Sequence, residues 1–335
     1  MKKIINQPEL FVSESVDGII KAHNDQLICP DKEQRIILAK NPSSKRKTAV
    51  VTAGGSGHLP TFLGYVGSGM LDGCTIGNVF ASPSANKMYE MIKAVDRGNG
   101  VLCLFGNYSG DSLNFQMACD YADMDGIKTI QLKVKDDVAS APENLSDKRR
   151  GIAGLVYAYK IAGAAADDGL TLEDVATVTE EALHNIKSIG AATGPCIVPE
   201  AQKATFTIND NEIEIGMGIH GEPGIETRNM LAADALADVL LDNILKELSM
   251  ADGEEVSVMI NGLGATPLEE LYILYRRIFN RLQDMNISIY MPHIGEFATS
   301  MEMAGCSLTL FKLNENLKRY LSYPANTPFY TSANK

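Results

Sequence analysis

The 335-residue sequence lacks the features that would place it in a membrane, outside the cell or on a nucleic acid. Its longest weakly polar stretch, residues 151–166, contains Lys160 and is too short to span a bilayer. Residues 1–8 carry two lysines but no apolar segment, so a secretory signal is not expected. The six cysteines (Cys29, Cys74, Cys103, Cys119, Cys196, Cys306) are scattered, with no Cys-x-x-Cys. Cys103 sits in the apolar run Val101-Leu102-Cys103-Leu104-Phe105 and reads as a small buried hydrophobe. The expected compartment is the cytoplasm, where the sequon Asn107-Tyr108-Ser109 carries no meaning. Basic residues are in deficit: 30 Lys and Arg against 42 Asp and Glu leave a net charge of −12. That balance argues against sequence-blind nucleic-acid binding, which needs a basic face, but permits contact with DNA through another protein. No Gly-x-x-x-x-Gly-Lys-Ser/Thr occurs, and no His, Cys or carboxylate cluster has metal-ligand spacing. Internal repeats and low-complexity tracts are also absent.

What is present is ordinary for a folded protein, 45% hydrophobic and 21% charged, long enough for about two domains at ~150 residues each. Strand patterns at 35–39 and 48–52 flank a basic Ser-Ser-Lys-Arg-Lys turn. Helical spacing at 84–94 precedes a strand at 101–105, and a second helix at 113–121 precedes a strand at 129–134. This alternation predicts an α/β architecture, a sheet covered by helices. Residues 151–166 read as a buried Ala-rich helix, and Thr171-Leu172-Glu173-Asp174 opens another with a Thr cap. The breaker-rich Gly190-Ala191-Ala192-Thr193-Gly194-Pro195 marks the expected boundary between α/β domains at 1–190 and 191–335. Beyond it, 204–208 and 212–215 flank Asn209-Asp210-Asn211 as a hairpin signal. Strands at 256–260, 287–290 and 307–313 surround a long helix at 268–282.

Three glycine-rich loops each place a titratable group after a strand-like run. They are Ala53-Gly54-Gly55-Ser56-Gly57-His58-Leu59-Pro60, Gly106-Asn107-Tyr108-Ser109-Gly110-Asp111 and Gly216-Met217-Gly218-Ile219-His220-Gly221-Glu222-Pro223-Gly224. Glycines let backbone N–H groups approach a ligand, and the strand ends of open α/β sheets are where crevices form. Two His and one Asp there can act as nucleophile, acid and base. The same loops also fit tight connections, a hydrogen-bonded turn His, or an Asp111 that merely caps the next helix. Gly216-x-Gly218-x-x-Gly221 spells the dinucleotide fingerprint, but Pro223 interrupts the helix a pyrophosphate would need.

Together with Asn261-Gly262-Leu263-Gly264-Ala265-Thr266-Pro267-Leu268-Glu269-Glu270-Leu271-Tyr272, these loops resemble the dihydroxyacetone kinase family from end to end. The resemblance is to its substrate-binding K subunit, used by bacteria that draw phosphate from the phosphotransferase system. It implies two α/β domains, a homodimer and a site holding dihydroxyacetone covalently. In that site His220 forms a hemiaminal with the ketone, and His58 is a hydrogen-bonding or acid/base partner. Asp111 takes the proton of the hydroxyl to be phosphorylated, and Gly55 offers its N–H to a substrate oxygen. Ser56, Gly57 and Gly106 complete the substrate-binding loops. The nucleotide belongs to a separate L subunit, so no cofactor is expected on this chain.

The sequence departs from the kinase pattern at charged positions. Kinase subunits read Gly-Gly-Gly-Ser-Gly-His-Glu-Pro where this chain has Ala53 first and Leu59 in place of the Glu. They read Lys-Asn-Tyr-Thr-Gly-Asp where this chain has Gly106 for the Lys, and Asn78 replaces the acidic residue before the Phe-x-Ser-Pro segment. Charges that would position a phosphoryl donor are gone while the His220 loop is intact. That combination resembles the coactivator paralogues of dihydroxyacetone operons, which bind the ketone and engage a TetR-type regulator. The alternative is a working K subunit partnered by the L subunit.

Overall fold

The computed structural model describes residues 2–42 and 48–333; the basic turn expected at 43–47 lies outside them. The first half contributes α1 (Phe11–Ala22), β1 (Leu27–Ile28), β2 (Ile36–Ala39), β3 (Ala49–Ser56), β4 (Gly73–Val79), α2 (Ala85–Val95), β5 (Val101–Gly106), α3 (Ser109–Met124) and β6 (Thr129–Val134). Its strands form one six-stranded sheet in the order β1-β2-β4-β3-β5-β6. The stretch β4-β3-β5-β6 is parallel, and β1 and β2 add antiparallel to it. Strand β5 is buried along its whole length, which is why it reads as an unbroken apolar run. From β3 the chain passes to β4 on one side, then crosses to β5 on the other. The C-terminal ends of β3 and β5 therefore flank a topological switch point, where such sheets open a crevice.

Helix α4 (Leu155–Asp167) is buried at every position, Lys160 included, and α5 (Leu172–His184) packs beside it. The expected cap of α5 is formed: the Thr171 hydroxyl oxygen accepts the Asp174 N–H at 3.2 Å. The Lys160 ammonium donates to the Tyr320 carbonyl at 2.8 Å, and burial pulls it down to about 7.

The second half contributes β7 (Ile186–Gly194), β8 (Ile197–Val198), β9 (Lys203–Ala204), β10 (Glu212–Ile215), β11 (Glu226–Asn229), α6 (Ala233–Leu245) and β12 (Glu255–Gly262). It continues with α7 (Leu268–Asp284), β13 (Ser288–Ile289), β14 (His293–Gly295), β15 (Ala304–Leu313), α8 (Glu315–Leu321), β16 (Ala325–Asn326) and β17 (Thr331–Ser332). The second sheet runs β11-β10-β7-β15-β12-β13, with β14 also on β12. Helix α4 lies between the sheets: Tyr159 bonds Thr52 of β3 and Tyr157 bonds Ser257 of β12, each at 2.8 Å.

Two sequence expectations change here. The breaker-rich segment 190–194 forms the second half of β7, so a boundary drawn at 190/191 runs through a strand. Its residues are small because the backbone beneath comes close; a Cβ on Gly190 would sit 2.6 Å from the Met217 carbonyl oxygen. The hairpin of 204–208 with 212–215 does not form. Its turn closes, Glu212 N–H to Asn209 O at 3.0 Å, but β7 and β11 occupy both edges of β10, and Ala204 pairs with Ile197 of β8 instead.

A lacing of hydrogen bonds joins the first glycine loop to the segment before β15. Met301 N–H donates to the Gly57 carbonyl at 2.8 Å, and the Thr299 hydroxyl donates to the Leu59 carbonyl at 2.9 Å. Tyr65 and Thr61 hydroxyls both donate to the Phe297 carbonyl, at 2.6 and 3.1 Å. Asn261, fully buried in β12, holds that segment in place. Its carboxamide oxygen accepts from Phe297 and Ala298 N–H, at 2.8 and 2.9 Å. Its amide donates to the Ala298 carbonyl at 2.8 Å and Ser307 Oγ at 3.0 Å. Asn261→Ala strands these buried partners and should lower stability by about 3 kcal/mol, read from the urea midpoint. A midpoint within error of the natural chain's would show that the segment is held without Asn261.

Candidate functional site

Strand β3 ends with Ser56, whose hydroxyl donates to the Gly77 carbonyl of β4 at 2.8 Å and so is spent inside the sheet. The loop after β4 folds back onto it. Phe80 adopts a left-handed backbone (φ 59°), and its N–H donates to the Ser56 carbonyl at 3.0 Å. Only glycine fits at 55, where a Cβ would lie 2.6 Å from the Ala81 nitrogen. The Phe80 ring then stacks on His58, centroids 4.9 Å apart and 25° between planes. His58 is 1% exposed, and its Nδ1 lies 2.8 Å from the Thr299 carbonyl oxygen. A carbonyl only accepts, so Nδ1 carries the proton. Burial, with the nearby His220 charge, lowers the imidazole to about 3 and keeps it neutral. Nε2 is therefore a bare acceptor, buried and without a hydrogen-bond partner.

The second loop is fixed by Asn107, whose amide donates to the Asp147 and Arg149 carbonyls at 3.0 and 2.8 Å. The Tyr108 hydroxyl donates to the Gly151 carbonyl at 3.1 Å. Tyr108, not Asp111, is the N-cap of α3. Asp111 stands in the first turn, 8% exposed, with Oδ1 lacking any hydrogen-bond partner. Burial raises its carboxyl to about 6, against the pull of the Ser82 hydroxyl and the His220 charge. Gly106 is buried, and a Cβ there would meet the Tyr108 ring at 3.1 Å.

After β10 the third loop closes in two turns, Gly221 N–H to Gly218 O at 3.1 Å and Gly218 N–H to Glu222 O at 3.0 Å. It leads to β11 rather than a helix, so its glycine fingerprint has no helix terminus for a pyrophosphate. His220 faces Glu222: Nδ1 is 2.9 Å from Oε1, and its backbone N–H donates to Oε2 at 2.9 Å. The carboxylate reaches this place because Gly218 has no Cβ, which would sit 2.2 Å from Oε2. Burial works to raise Glu222, but the hydrogen bond and charge of His220 and the backbone N–H groups bring it to about 2. Arg150 stands 3.9 Å from Glu222 and is itself held by Asp137 at 2.8 Å and the Gly216 carbonyl at 3.1 Å.

The loops converge on the two imidazoles. His58 and His220 meet edge to face, 4.7 Å between centroids at 81°. Phe80 and Tyr108 flank His220 at 5.3 and 4.8 Å. In the neutral imidazole, a proton on Nδ1 facing Glu222 leaves the lone pair on Nε2. The arrangement offers a nucleophilic nitrogen, a neutral acceptor nitrogen and an acceptor carboxylate in one buried place. Leu59 lines a cavity of about 250 Å³ under α1, where Phe11, Val16 and Phe62 meet Gly55, Gly57 and His58 of the first glycine loop. Among the described residues no group of three or more His, Cys, Asp or Glu could hold a metal ion. Sequence reasoning gave no role to Glu222, although it lies two residues from His220 in a quoted motif. Tyr108 and Phe80 likewise stood in quoted motifs without a role, whereas Arg150 and Thr299 were missed because distant chain segments bring them in.

The Dak1 domain pattern matches residues 17–329, and the chain belongs to that family. It is 41% identical over 328 residues to the "PTS-dependent dihydroxyacetone kinase 1, dihydroxyacetone-binding subunit DhaK" of Listeria innocua, covering 98% of this chain and 99% of that one. The native dihydroxyacetone kinase of C. freundii superposes with a TM-score of 0.90 at 32% identity, over 99% of this chain and 60% of that one. The "Dihydroxyacetone kinase operon co-activator Dha-DhaQ" superposes with a TM-score of 0.89 at 28% identity, over 95% of this chain and 98% of that one. These likenesses carry the α/β fold, with its helix-covered sheets.

The buried carboxylate makes a pH-dependent statement about stability. The folded Asp111 titrates near 6, above its unfolded value of 3.8, so its ionised form is disfavoured by folding. The cost is absent below pH 3.8, grows between 3.8 and 6, and is complete above 6. Asp111→Asn should therefore raise stability at pH 7.5, by roughly 3 kcal/mol at most, and the gain should vanish at pH 3.5. Thermal unfolding at the two pH values checks it; a gain independent of pH would refute the assignment.

Proposed function

We propose that this site captures dihydroxyacetone as a hemiaminal on His220. The carrying observation is that Glu222 and Thr299 each face one Nδ1, so that the neutral imidazoles keep two Nε2 lone pairs side by side. Addition forms the bond from His220 Nε2 to the ketone carbon and breaks the carbonyl π bond onto oxygen. One proton leaves Nδ1 as one O–H forms, and Glu222 stands at that nitrogen. His58 Nε2 accepts from one hydroxyl of the ligand, Asp111 Oδ1 from another, and the Gly55 N–H faces an oxygen. A triol without a carbonyl cannot form the bond.

The role that follows capture is read from the missing charges: the protein is a coactivator that engages a TetR-type regulator, while the homodimer is what the family resemblance implies and the cytoplasm what the scattered cysteines imply. Gly106, Leu59 and Asn78 remove a lysine and two carboxylates that the kinase pattern carries. Arg35 supports this: it donates from Nη2 to Asn78 Oδ1 at 2.7 Å, while its Nη1 is buried without a partner. A carboxylate at 78 would serve both nitrogens. The similarity to the operon co-activator points the same way. A second reading, the K subunit acting with an L subunit that brings the nucleotide, is favoured by the 41% identity to a kinase subunit.

His220→Ala should weaken dihydroxyacetone binding at least about a hundredfold by calorimetry, since the bond itself is lost. Undiminished affinity would remove His220 from the role. The second test mixes the chain with an L subunit, its phosphotransfer partner and dihydroxyacetone. Product formation should fall at least ~10²-fold below that of a standard K subunit, and Leu59→Glu with Gly106→Lys should restore part of it. Turnover equal to the standard subunit would establish the kinase reading instead.

A further inference from the structure

Helix α3 starts at the site, with Asp111 in its first turn, and runs outward along the surface of the first sheet. Its inner face is accounted for: Phe115, Ala118, Cys119 and Ala122 are buried in the cluster that also holds Met88, Met91 and Ile92 of α2. Its outer face is not polar, as a solvent-facing helix would be. Leu113, Met117, Tyr121 and Met124 are exposed by 64, 40, 39 and 81%. At 3.6 residues per turn these four fall within an arc of about 80°, a stripe about 16 Å long opposite the buried side. A contiguous row of large exposed apolar side chains marks an interaction surface more often than scattered ones do.

The charges beside the row say what can cover it. The helix contains no Lys or Arg, and exposed Asp120 and Asp123 border one side of the stripe. On the other side Tyr121 meets Tyr89 of α2, and the Lys93 there is already neutralised by Asp125 at 2.8 Å. A second copy of α3 would set carboxylates against carboxylates. We propose that the outer face of α3 docks a partner protein through an amphipathic helix whose apolar ridge is bordered by Lys or Arg. The proposal rests on the ligand-sensing reading of the site only in giving the partner a reason to sit beside Asp111; the face itself is argued from exposure and charge. Leu and Met side chains fill the partner's ridge, and Asp120 and Asp123 choose its sign.

The test uses two synthetic helical peptides with the same leucine ridge, one bordered by lysine and arginine, the other by glutamate, and follows their fluorescence anisotropy on the full chain. The basic peptide should bind at least tenfold tighter than the acidic one, less so as salt rises. Leu113→Ser with Met117→Ser should weaken it about tenfold or more, and Asp120→Asn with Asp123→Asn should flatten the salt dependence. Both variants should bind dihydroxyacetone as the natural chain does, because neither touches the imidazoles. Equal binding of the two peptides, or unchanged binding by the serine variant, overturns the proposal. So does light scattering in which the serine variant converts a dimer to a monomer, which would give the face to a second copy. Peptide binding that survives while dihydroxyacetone fails to bind overturns the reading of the site and leaves the docking face standing.

Discussion

The site depends on one arrangement: each imidazole is held by one nitrogen so that the other is free. Glu222 holds His220 from within its own loop, and Thr299 holds His58 from the opposite half of the chain. The first bond is local, two residues apart, and is made by a turn that glycine permits at 218. The second spans 241 residues and is set by the segment 297–301, which Asn261 holds from β12 and Thr299 and Met301 tie to the first glycine loop. Tautomer, orientation and the direction of the free lone pairs all follow from these two contacts.

The structure leaves polar groups unsatisfied where a ligand would satisfy them. His58 Nε2 and Asp111 Oδ1 are both buried without a hydrogen-bond partner, at a cost that a fold selected for stability alone would avoid. Desolvation moves both groups away from charge: the imidazole down to about 3 and the carboxyl up to about 6. Under the proposed capture of dihydroxyacetone, hydroxyls of the ligand meet these two atoms.

The departures from the kinase pattern are local and of different kinds. Asn78 keeps the contact of Arg35 but only half of it. Leu59, itself 38% exposed, lines a cavity beneath α1 that Phe11, Val16 and Phe62 share with Gly55, Gly57 and His58 of the site. Gly106 lies beneath Tyr108, whose ring flanks His220. Each change lies outside the His220 loop and alters what surrounds it.

The α/β alternation, the Thr171 cap, the buried helix at 155–167 and the three glycine loops were legible in the sequence, because periodicity, caps and glycine runs are local signals. His58, Asp111 and His220 were legible as candidates through the motifs that hold them. What was not legible was whatever depends on neighbours: the breaker-rich 190–194 is strand, since Gly190 there answers to a backbone passing close by. The hairpin at 204–215 failed because β7 and β11, far apart in the chain, hold both edges of β10. Ser56 looked like a ligand contact, yet its hydroxyl is claimed by Gly77 across the sheet. Residue types announce what chemistry is possible, but only the meeting of the two halves decides which nitrogen carries the proton, which oxygen stays bare and which side chain is already taken.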